Sequence, residues 1–151
     1  MIIAGFGRVG QVVARVLAAK RVPFTAMDAS AEHIDFVRRF GNPVFYGDAS
    51  RLDLLRAAKA DRARIFVLAI DDVEASLRTA RVVLANFPRL AIFARARNRQ
   101  HAYALRALGI TRIMRETLLS SLAMTEQVLQ GLGLDYGEAR AAVERFRAHD
   151  E

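Results

Sequence analysis

The sequence predicts an α/β fold in which a doubly wound parallel sheet of six strands is followed by a C-terminal helical extension. Six short apolar runs alternate with stretches of helical periodicity along the 151 residues, which is the pattern of repeated β-α-β units. Right-handed crossovers then favour the doubly wound arrangement. In addition, Gly5-Phe6-Gly7-Arg8-Val9-Gly10 has the G-x-G-x-x-G spacing between the first strand and the first helix, as in Rossmann-like sheets.

The strands are predicted from short apolar runs, and the helices from apolar residues at intervals of three and four. The fourth strand is a continuous apolar run, as expected for a strand buried on both faces. Ser30 is the predicted N-cap of the second helix and Gly41 its stop. The predicted strands cover residues 1–4, 22–27, 43–46, 65–70, 90–94 and 110–114. The predicted helices cover residues 9–20, 30–40, 52–58, 72–86, 99–108 and 118–132, with an amphipathic extension over 135–151.

Composition excludes several classes of protein. The chain has no cysteine, so disulfides, thiolate metal sites and cysteine nucleophiles are excluded, and we predict no metal site. No apolar run approaches the ~18 residues of a membrane span, and Met1 leads directly into the first strand without a basic signal region. The net charge is +7, and only Lys20 and Lys59 among the 23 basic residues are lysines. This excess suits nucleic acid, an acidic membrane surface or small anions as partners, or reflects only a GC-rich genome.

The position of the arginines separates these possibilities. They are scattered over several helices, and the sequence has no helix-turn-helix or aromatic-basic platform, so we predict no nucleic-acid partner. We expect one group of arginines at the ligand edge of the sheet: Arg8, Arg95, Arg97 and Arg99. We expect the others to form ordinary solvated surface, among them Arg38, Arg39, Arg56, Arg62 and Arg64.

The glycine-rich loop predicts a phosphate-binding turn. Gly5 permits the tight turn, Gly7 lets a pyrophosphate approach the backbone, and Gly10 lets the helix pack against the strand. The amide groups and the dipole at the helix N-terminus favour an anion at this position. The alternative is a turn that needs glycine only for its own conformation, but the strand before it and the helix after it favour the nucleotide site.

Four aspartates follow predicted strands and are expected at the carboxyl edge of the sheet. Asp28 follows Gly10 by 18 residues, where a carboxylate binds ribose hydroxyls and repels a 2′-phosphate, so we expect NAD(H) or AMP and not NADP. Helix capping is the alternative role, and the two are compatible. Asp48 is expected either to accept a hydrogen bond from an adenine amino group or to cap the next helix. Of Asp71 and Asp72, we expect one to cap a helix and the other to meet a ribose or a ligand amide.

Basic residues cluster near the end of the fifth strand. Arg95 and Arg97 point the same way if the strand persists, toward a crevice where guanidinium groups bind carboxylates or phosphates. Glu116 follows the sixth strand and is expected to pair with one of them or with a ligand α-amino group. The alternative is a solvated basic loop. We expect His101 to be a satisfied polar residue or a ligand contact, and His33 to lie at the surface.

Several motifs together suggest one family. Besides the glycine loop and Asp28, the chain contains Phe45-Tyr46-Gly47-Asp48-Ala49-Ser50, Ala69-Ile70-Asp71-Asp72 and Ala94-Arg95-Ala96-Arg97-Asn98. In this order they resemble the RCK/KTN (TrkA-N) domains. More closely, the chain resembles the regulatory domain of the Kef-type glutathione-regulated potassium-efflux antiporters. The resemblance extends from Met1 through the helix that contains Glu138-Ala139-Arg140.

The resemblance implies regulation of transport, with no catalytic residues. It implies a domain on the cytoplasmic face of the inner (plasma) membrane, joined to a membrane antiporter in the same longer chain. It also implies a homodimer with AMP or NAD(H) in the Rossmann-like cleft, and an ancillary oxidoreductase subunit as a further partner. In Kef systems, glutathione holds the transporter closed and its bulky adducts open it, so that potassium leaves as protons enter.

The resemblance assigns two sets of binding residues and two domains. The implied nucleotide-binding residues are Gly5, Phe6, Gly7, Arg8, Val9, Gly10, Asp28, Ala29, Asp48, Ala49, Ile70 and Asp71. The implied glutathione-binding residues are Arg8, Gln11, Arg95, Arg97, Asn98 and Glu116. Where the terminal helix of the family commonly has an Asn, this chain has His149 and Asp150. Residues 1–133 are the predicted nucleotide-binding domain, and 134–151 the extension at the dimer and ligand site.

The last long helix and the chain length bear on assembly and activity. Residues 118–132 are more apolar than a helix that covers one sheet face requires, so we expect a homodimer through this helix and the tail; an unusually buried core helix is the alternative. A small NAD-dependent oxidoreductase or another RCK-type regulator is the alternative function, but the chain has no substrate domain. We expect the chain to be cut from a longer protein, because only four residues precede Gly5; a genuine short regulator is the alternative.

Overall fold

The computed structural model describes residues 1–150, which form six strands and seven helices. The strands are β1 (Ile2–Ala4), β2 (Thr25–Asp28), β3 (Val44–Tyr46), β4 (Ile65–Leu68), β5 (Ala91–Ala96) and β6 (Arg112–Arg115). The helices are α1 (Arg8–Ala19), α2 (Ala31–Arg38), α3 (Leu52–Ala57), α4 (Val73–Asn86), α5 (Arg99–Ala107), α6 (Leu118–Gly131) and α7 (Tyr136–Asp150). Every predicted strand and helix is present, and the predicted fold class is confirmed.

The sheet has the order β3-β2-β1-β4-β5-β6, and the four pairings among β1 to β5 are parallel. Ile2 pairs with Thr25 on one side and with Phe66 on the other. Parallel strands begin at one edge of the sheet, here called the amino edge, and end at the opposite carboxyl edge. The strand order reverses between β1 and β4, and the loops at the carboxyl edge of that reversal form the crevice where ligands bind in such sheets.

The apolar core lies on both faces of the sheet because successive residues of a strand point to opposite sides. Ile2 belongs to a cluster with Leu55 of α3 and Leu105 of α5. Ile3 belongs to a second cluster, in which Ala14 of α1 is also buried. All five are at most 1% exposed, and each fully buried Leu or Ile side chain contributes about 1.5–3 kcal/mol of transfer free energy.

The second strand begins later than predicted, at Thr25 instead of residue 22. Arg21 has a φ of 55°, and the Val22 N–H donates to the Leu17 carbonyl at 2.9 Å, so Val22 still belongs to the turn that closes α1. Pro23 follows and has no N–H to donate to a neighbouring strand. The length of a strand is therefore overestimated when the apolar run that predicts it begins inside the cap of the preceding helix.

The described chain divides into two compact units, Met1–Met114 and a second that begins at Arg115. In the second unit, Leu122 of α6 and Ala139 of α7 are buried, and Arg115 forms an ion pair with Asp150. Large apolar side chains of α6 and of its C-cap residue are exposed, namely Leu119, Met124 and Val128 on the helix and Leu132 at the cap. The domain boundary after residue 133 stays a prediction. None of the helices within residues 1–150 has both the length and the apolarity that crossing a membrane requires.

Candidate functional site

A cleft of about 710 Å³ opens at the carboxyl edge of the sheet, where the strand order reverses. The loops after β1, β2, β3 and β4 line it, together with the first turns of α4. It is lined by most of the residues predicted to bind nucleotide and by two of those predicted to bind glutathione: Gly5, Phe6, Gly7, Arg8, Gln11, Asp28, Ala29, Asp48, Ala49, Ile70 and Asp71. Val9 and Gly10 lie on α1 outside this lining.

The three glycines of the loop meet different surroundings. Gly5 has a φ of 96°, and a Cβ there would lie 2.6 Å from the Ala69 carbonyl carbon. A Cβ on Gly10 would lie 1.9 Å from the Gly5 carbonyl oxygen, so α1 packs on the strand only because residue 10 has no side chain. A Cβ on Gly7 would meet no protein atom within 4 Å, which leaves this side of the loop open to a ligand.

Asp28 joins the glycine loop to the second strand and to the start of α2. Its Oδ2 accepts the Phe6 N–H at 2.6 Å, and its Oδ1 accepts the Ser30 N–H at 2.6 Å. His33 Nδ1 lies 3.0 Å from the same Oδ2. A carboxylate oxygen accepts about two hydrogen bonds, so Oδ1 retains capacity for a ribose hydroxyl. The expectation that His33 is only a surface residue is wrong, since its ring lines the cleft against Asp28.

Asp48 and Arg78 face each other across the part of the cleft formed by the loop after β3. Asp48 Oδ1 accepts the Ser50 N–H at 2.8 Å and the Ser50 hydroxyl at 2.7 Å. The backbone hydrogen bond from Ser50 is the main cause that lowers the pKa of Asp48, and Arg78 adds to it. Arg78 lies 3.6 Å from Asp48 Oδ2 and donates to Ser50 Oγ at 3.1 Å. Because Arg51 is the N-cap of α3, Asp48 does not cap that helix and instead holds the cleft loop.

The two adjacent aspartates after β4 divide between two roles. Asp72 Oδ1 accepts the Ala75 N–H at 2.7 Å and caps α4. Asp71 Oδ1 accepts a hydrogen bond from Arg95 at 2.6 Å, and this bond lowers the pKa of Asp71. Arg95 also donates to the Ile70 carbonyl at 3.2 Å, and its side chain is only 6% exposed, whereas that of Asp71 is 64% exposed. Arg95 therefore fixes the loop after β4, and Asp71 lies open to the cleft.

The chain after β5 is held by a buried histidine. Because β5 ends at Ala96, Arg97 is exposed while Arg95 is buried, and the two do not share one direction as expected for a longer strand. The Arg97 N–H donates to His101 Nδ1 at 3.0 Å, and Asn98 Oδ1 accepts the His101 N–H at 2.9 Å.

His101 is 1% exposed, and its Nε2 lies 3.1 Å from Ser76 Oγ. Since Nδ1 accepts the Arg97 N–H, the neutral ring carries its proton on Nε2. Burial, and then the charge of Arg95, lower the pKa of His101. The histidine is thus a satisfied polar residue, one of the two predicted possibilities.

Three of the residues predicted to bind glutathione lie near Asp71: the hydrogen bond from Arg95, and then the charges of Arg95, Arg97 and Arg8, lower the pKa of that carboxyl. Arg8 and Gln11 line the cleft, where Gln11 Nε2 donates to the Phe6 carbonyl at 3.0 Å. The cleft lining does not include Arg95, Arg97 or Asn98. Glu116 belongs to the second compact unit, in the turn before α6.

The cleft also contains residues that the sequence reasoning did not select: Met27, Ser30, His33, Gly47, Ala69, Ala75 and Arg78. Most of them are neighbours of selected residues in the same loops. His33, Ala75 and Arg78 lie on helices, and their selection requires knowing which helix face turns toward the sheet edge. A useful signal is their spacing from the cap, because residues in the first two turns after a carboxyl-edge loop remain near that edge.

The sequence matches two family models. Residues 1–116 match the TrkA-N domain, and residues 120–151 match the potassium efflux system KefB C-terminal domain. Among curated relatives, the glutathione-regulated potassium-efflux system protein KefC of Salmonella arizonae is 43% identical over 147 residues, which is 97% of this chain and 24% of the relative. The chain thus spans about a quarter of the length of the curated relatives it matches.

Solved structures are similar over most of the chain. The Kef CTD of Shewanella denitrificans, in its AMP-bound form, has a TM-score of 0.88 and 42% identity, with 99% of this chain and 90% of that chain covered. The GsuK channel bound to NAD has a TM-score of 0.73 and 16% identity, over 82% of this chain and 22% of that chain. The second likeness concerns the fold alone.

Proposed function

The chain belongs to the TrkA-N domain family and, over 99% of its length, is similar to the Kef CTD of Shewanella denitrificans. We propose that it is a ligand-binding regulatory domain of a potassium/proton antiporter. In this proposal, it binds an adenine nucleotide in the carboxyl-edge cleft and responds to an anionic thiol tripeptide, glutathione or its adducts. The antiporter belongs to the same longer chain, and the domain works at the cytoplasmic face of the inner membrane. The proposed role is regulatory and not catalytic.

The nucleotide part of the proposal rests above all on the cleft formed by the glycine loop. The amide end of α1 has no acidic residue in its first turn, so its dipole favours a phosphate group. Gly7 leaves the approach open, and Asp28 is fixed at the end of β2 with lone-pair capacity for a ribose hydroxyl. AMP in the related Shewanella structure supports the same ligand class here. AMP and NAD(H) both meet these requirements.

Calorimetric titration with AMP, NADH and NADPH tests this part. We expect AMP or NADH to bind, and NADPH to bind more weakly because its 2′-phosphate meets the Asp28 carboxylate. A Gly7→Ala variant places a methyl group on the open side of the loop and should lose nucleotide affinity while it stays folded. Gly131→Ala is the matched control, because a Cβ there also meets no atom within 4 Å, but in the second unit. A preference for NADPH, or equal loss in both variants, contradicts the proposed site.

The effector part of the proposal assigns glutathione carboxylates to Arg97. Arg97 is exposed, and its backbone is held by the buried His101, so the guanidinium projects from a fixed position. Arg97→Ala should abolish glutathione binding and leave AMP binding unchanged. Arg81→Ala removes another exposed arginine, on α4, and should change neither. If Arg97→Ala loses both ligands with the fold intact, the two sites are not separate. The contributions of Arg8, Gln11, Arg95, Asn98 and Glu116 stay predictions.

The proposed homodimer uses the exposed apolar residues of α6 and of its C-cap, Leu132. Met124, Val128 and Leu132 are 63%, 53% and 75% exposed, and a second copy would remove them from water. Light scattering coupled to size exclusion tests this step, and a stable monomer at micromolar concentration contradicts it.

An ancillary oxidoreductase subunit belongs to the same proposal. Turnover of NADH with carbonyl or quinone substrates by the purified chain alone would instead support an enzyme.

A further inference from the structure

The charge of the first unit is divided unequally between the two edges of the sheet. The carboxyl-edge loops (residues 5–8, 28–31, 47–52, 69–73 and 97–99) contain four aspartates and four arginines. The amino-edge loops (residues 20–24, 38–43, 58–64, 87–90 and 109–112) contain nine cations against one carboxylate, Asp61, a local excess of eight in a chain of net charge +7. The nine are Lys20, Arg21, Arg38, Arg39, Lys59, Arg62, Arg64, Arg89 and Arg112.

These cations are exposed, and all but Arg38 are without a carboxylate ion pair in the part of the chain that the structure describes. All nine side chains are solvent-exposed. Within residues 1–150, the only ion pair to a carboxylate in this set joins Arg38 to Asp35, at 3.7 Å. Arg38, Arg39, Arg62 and Arg64 are exposed, as expected for solvated surface. That expectation did not include their position at one edge of the sheet. Loops far apart in sequence meet here because every helix-to-strand connection of a parallel sheet returns to the same edge.

A groove at this edge combines arginines with apolar side chains. It has a volume of about 620 Å³ and includes Arg62, Arg64 and Arg112 together with Val22 and Phe93. Val22 and Phe93 are 40% and 41% exposed, and the Arg112 guanidinium lies 5.2 Å from the Phe93 ring centroid. Cations around exposed aliphatic and aromatic groups suit the boundary between phosphate headgroups and acyl chains.

We infer that the amino edge docks on an anionic phospholipid surface. Basic residues near such a surface are attracted by its negative potential, and the short loops of this edge present them as a rim. Within residues 1–114, the amino edge consists of short loops, with no helix or β-ribbon extending from it as an element that reads a nucleic-acid groove would. The choice of membrane over nucleic acid rests on the proposed function, which joins the domain to a membrane antiporter; the charge asymmetry does not depend on it. The nucleotide cleft, at the opposite edge, stays accessible in the docked domain.

Sedimentation of the 151-residue chain with lipid vesicles tests the inference. We expect binding to vesicles that contain phosphatidylglycerol, no binding to pure phosphatidylcholine vesicles, and release by salt. The Arg62→Gln/Arg64→Gln variant should partition onto the anionic vesicles roughly 20-fold more weakly. The control variant, Arg81→Gln/Arg145→Gln, loses the same charge from exposed positions on α4 and α7 and should stay within about 3-fold of the original chain.

Four results would overturn the inference. One is the absence of binding to anionic vesicles, and another is equal loss in the two variants, which would assign the effect to total charge. Release by inorganic phosphate beyond that by chloride at equal ionic strength would assign the groove to a free anion. Tighter binding to random duplex DNA, with the same dependence on Arg62 and Arg64, would assign the edge to nucleic acid. AMP titration of the same samples is a separate readout, so failure of docking and failure of the nucleotide proposal are distinguishable.

Discussion

The two edges of one sheet use charge in opposite ways. At the carboxyl edge, aspartates are bound to defined partners: Asp28 to the Phe6 and Ser30 amides, Asp72 to the Ala75 amide, and Asp71 to Arg95. At the amino edge, Arg62, Arg64 and Arg112 line a groove, and the cations of this edge face water. Charges bound in this way fix loop geometry around a small ligand, whereas solvated charges of one sign create a field that acts on a large surface. The comparison predicts that substitutions of closely packed or hydrogen-bonded residues at the carboxyl edge lower the free energy of unfolding, whereas substitutions of the solvated amino-edge cations do not.

The largest effect is expected where the glycine loop meets α1. Gly10→Ala places a Cβ 1.9 Å from the Gly5 carbonyl oxygen, so α1 must move away from the strand, at a cost of about 3 kcal/mol or more. Denaturant unfolding measures this loss. Gly7→Ala, three residues earlier, meets no protein atom and should change stability by less than about 1 kcal/mol. Equal loss in the two variants would show that the loop is not anchored through Gly10.

A smaller loss is expected from the buried arginine of the carboxyl edge. Arg95→Ala leaves the Ile70 carbonyl without its donor and Asp71 without its ion pair. Asp71 is 64% exposed, so water screens the pair, and the loss should be about 2 kcal/mol. Arg97→Ala, two residues later and exposed, should cost less than about 0.5 kcal/mol. Thermal unfolding of both variants measures the difference, and a greater loss for Arg97→Ala would reverse the assignment of structural and ligand-facing roles.

His101 predicts how the carboxyl edge responds to pH. Its pKa in the folded chain lies below the ordinary value of 6.5, so the unfolded chain binds a proton more readily, and stability falls as pH falls below 6.5. The expected decrease reaches at most about 1.4 kcal/mol per pH unit. The matched comparison is His101→Gln, whose unfolding free energy should depend less on pH. An unchanged pH profile in that variant would contradict the buried neutral ring. The pKa values of Asp48 and Asp71 are lowered from the ordinary value of 3.8. Their contribution to stability is therefore present above that pH and is lost only as pH falls below it.

The smallest effect is expected at the amino edge. Arg62→Gln/Arg64→Gln removes two exposed cations that form no ion pair within residues 1–150, so stability should change by less than about 0.5 kcal/mol. A slight gain is consistent with reduced repulsion among like charges. Chemical unfolding at low and high salt measures this. A loss comparable to that of Arg95→Ala would show that the amino edge is structural and would remove the contrast between the edges.

Several features were determined by the sequence alone. Alternation of apolar runs with helical periodicity determined the fold class, because each parallel strand must be covered on both faces. The G-x-G-x-x-G spacing with a strand before it located the turn, since only glycine tolerates the 1.9 Å and 2.6 Å approaches found at Gly10 and Gly5. The aspartates after β2, β3 and β4 were placed at one edge because parallel strands end on the same side. These inferences depend on local periodicity and on topological rules.

The partner of each polar group was decided only by the tertiary structure. Arg95 and Arg97 are two residues apart and would point the same way in a continuous strand. Because β5 ends at Ala96, between them, Arg95 is buried and Arg97 is exposed. The division of labour between Asp71 and Asp72 depends on where α4 begins. The basic amino edge is assembled from five loops that are distant in sequence, so the net charge of +7 predicted a charged partner but not its position. Periodicity specifies which residues share an edge or a face, whereas hydrogen-bond partners and charge fields depend on distances that only the folded chain sets.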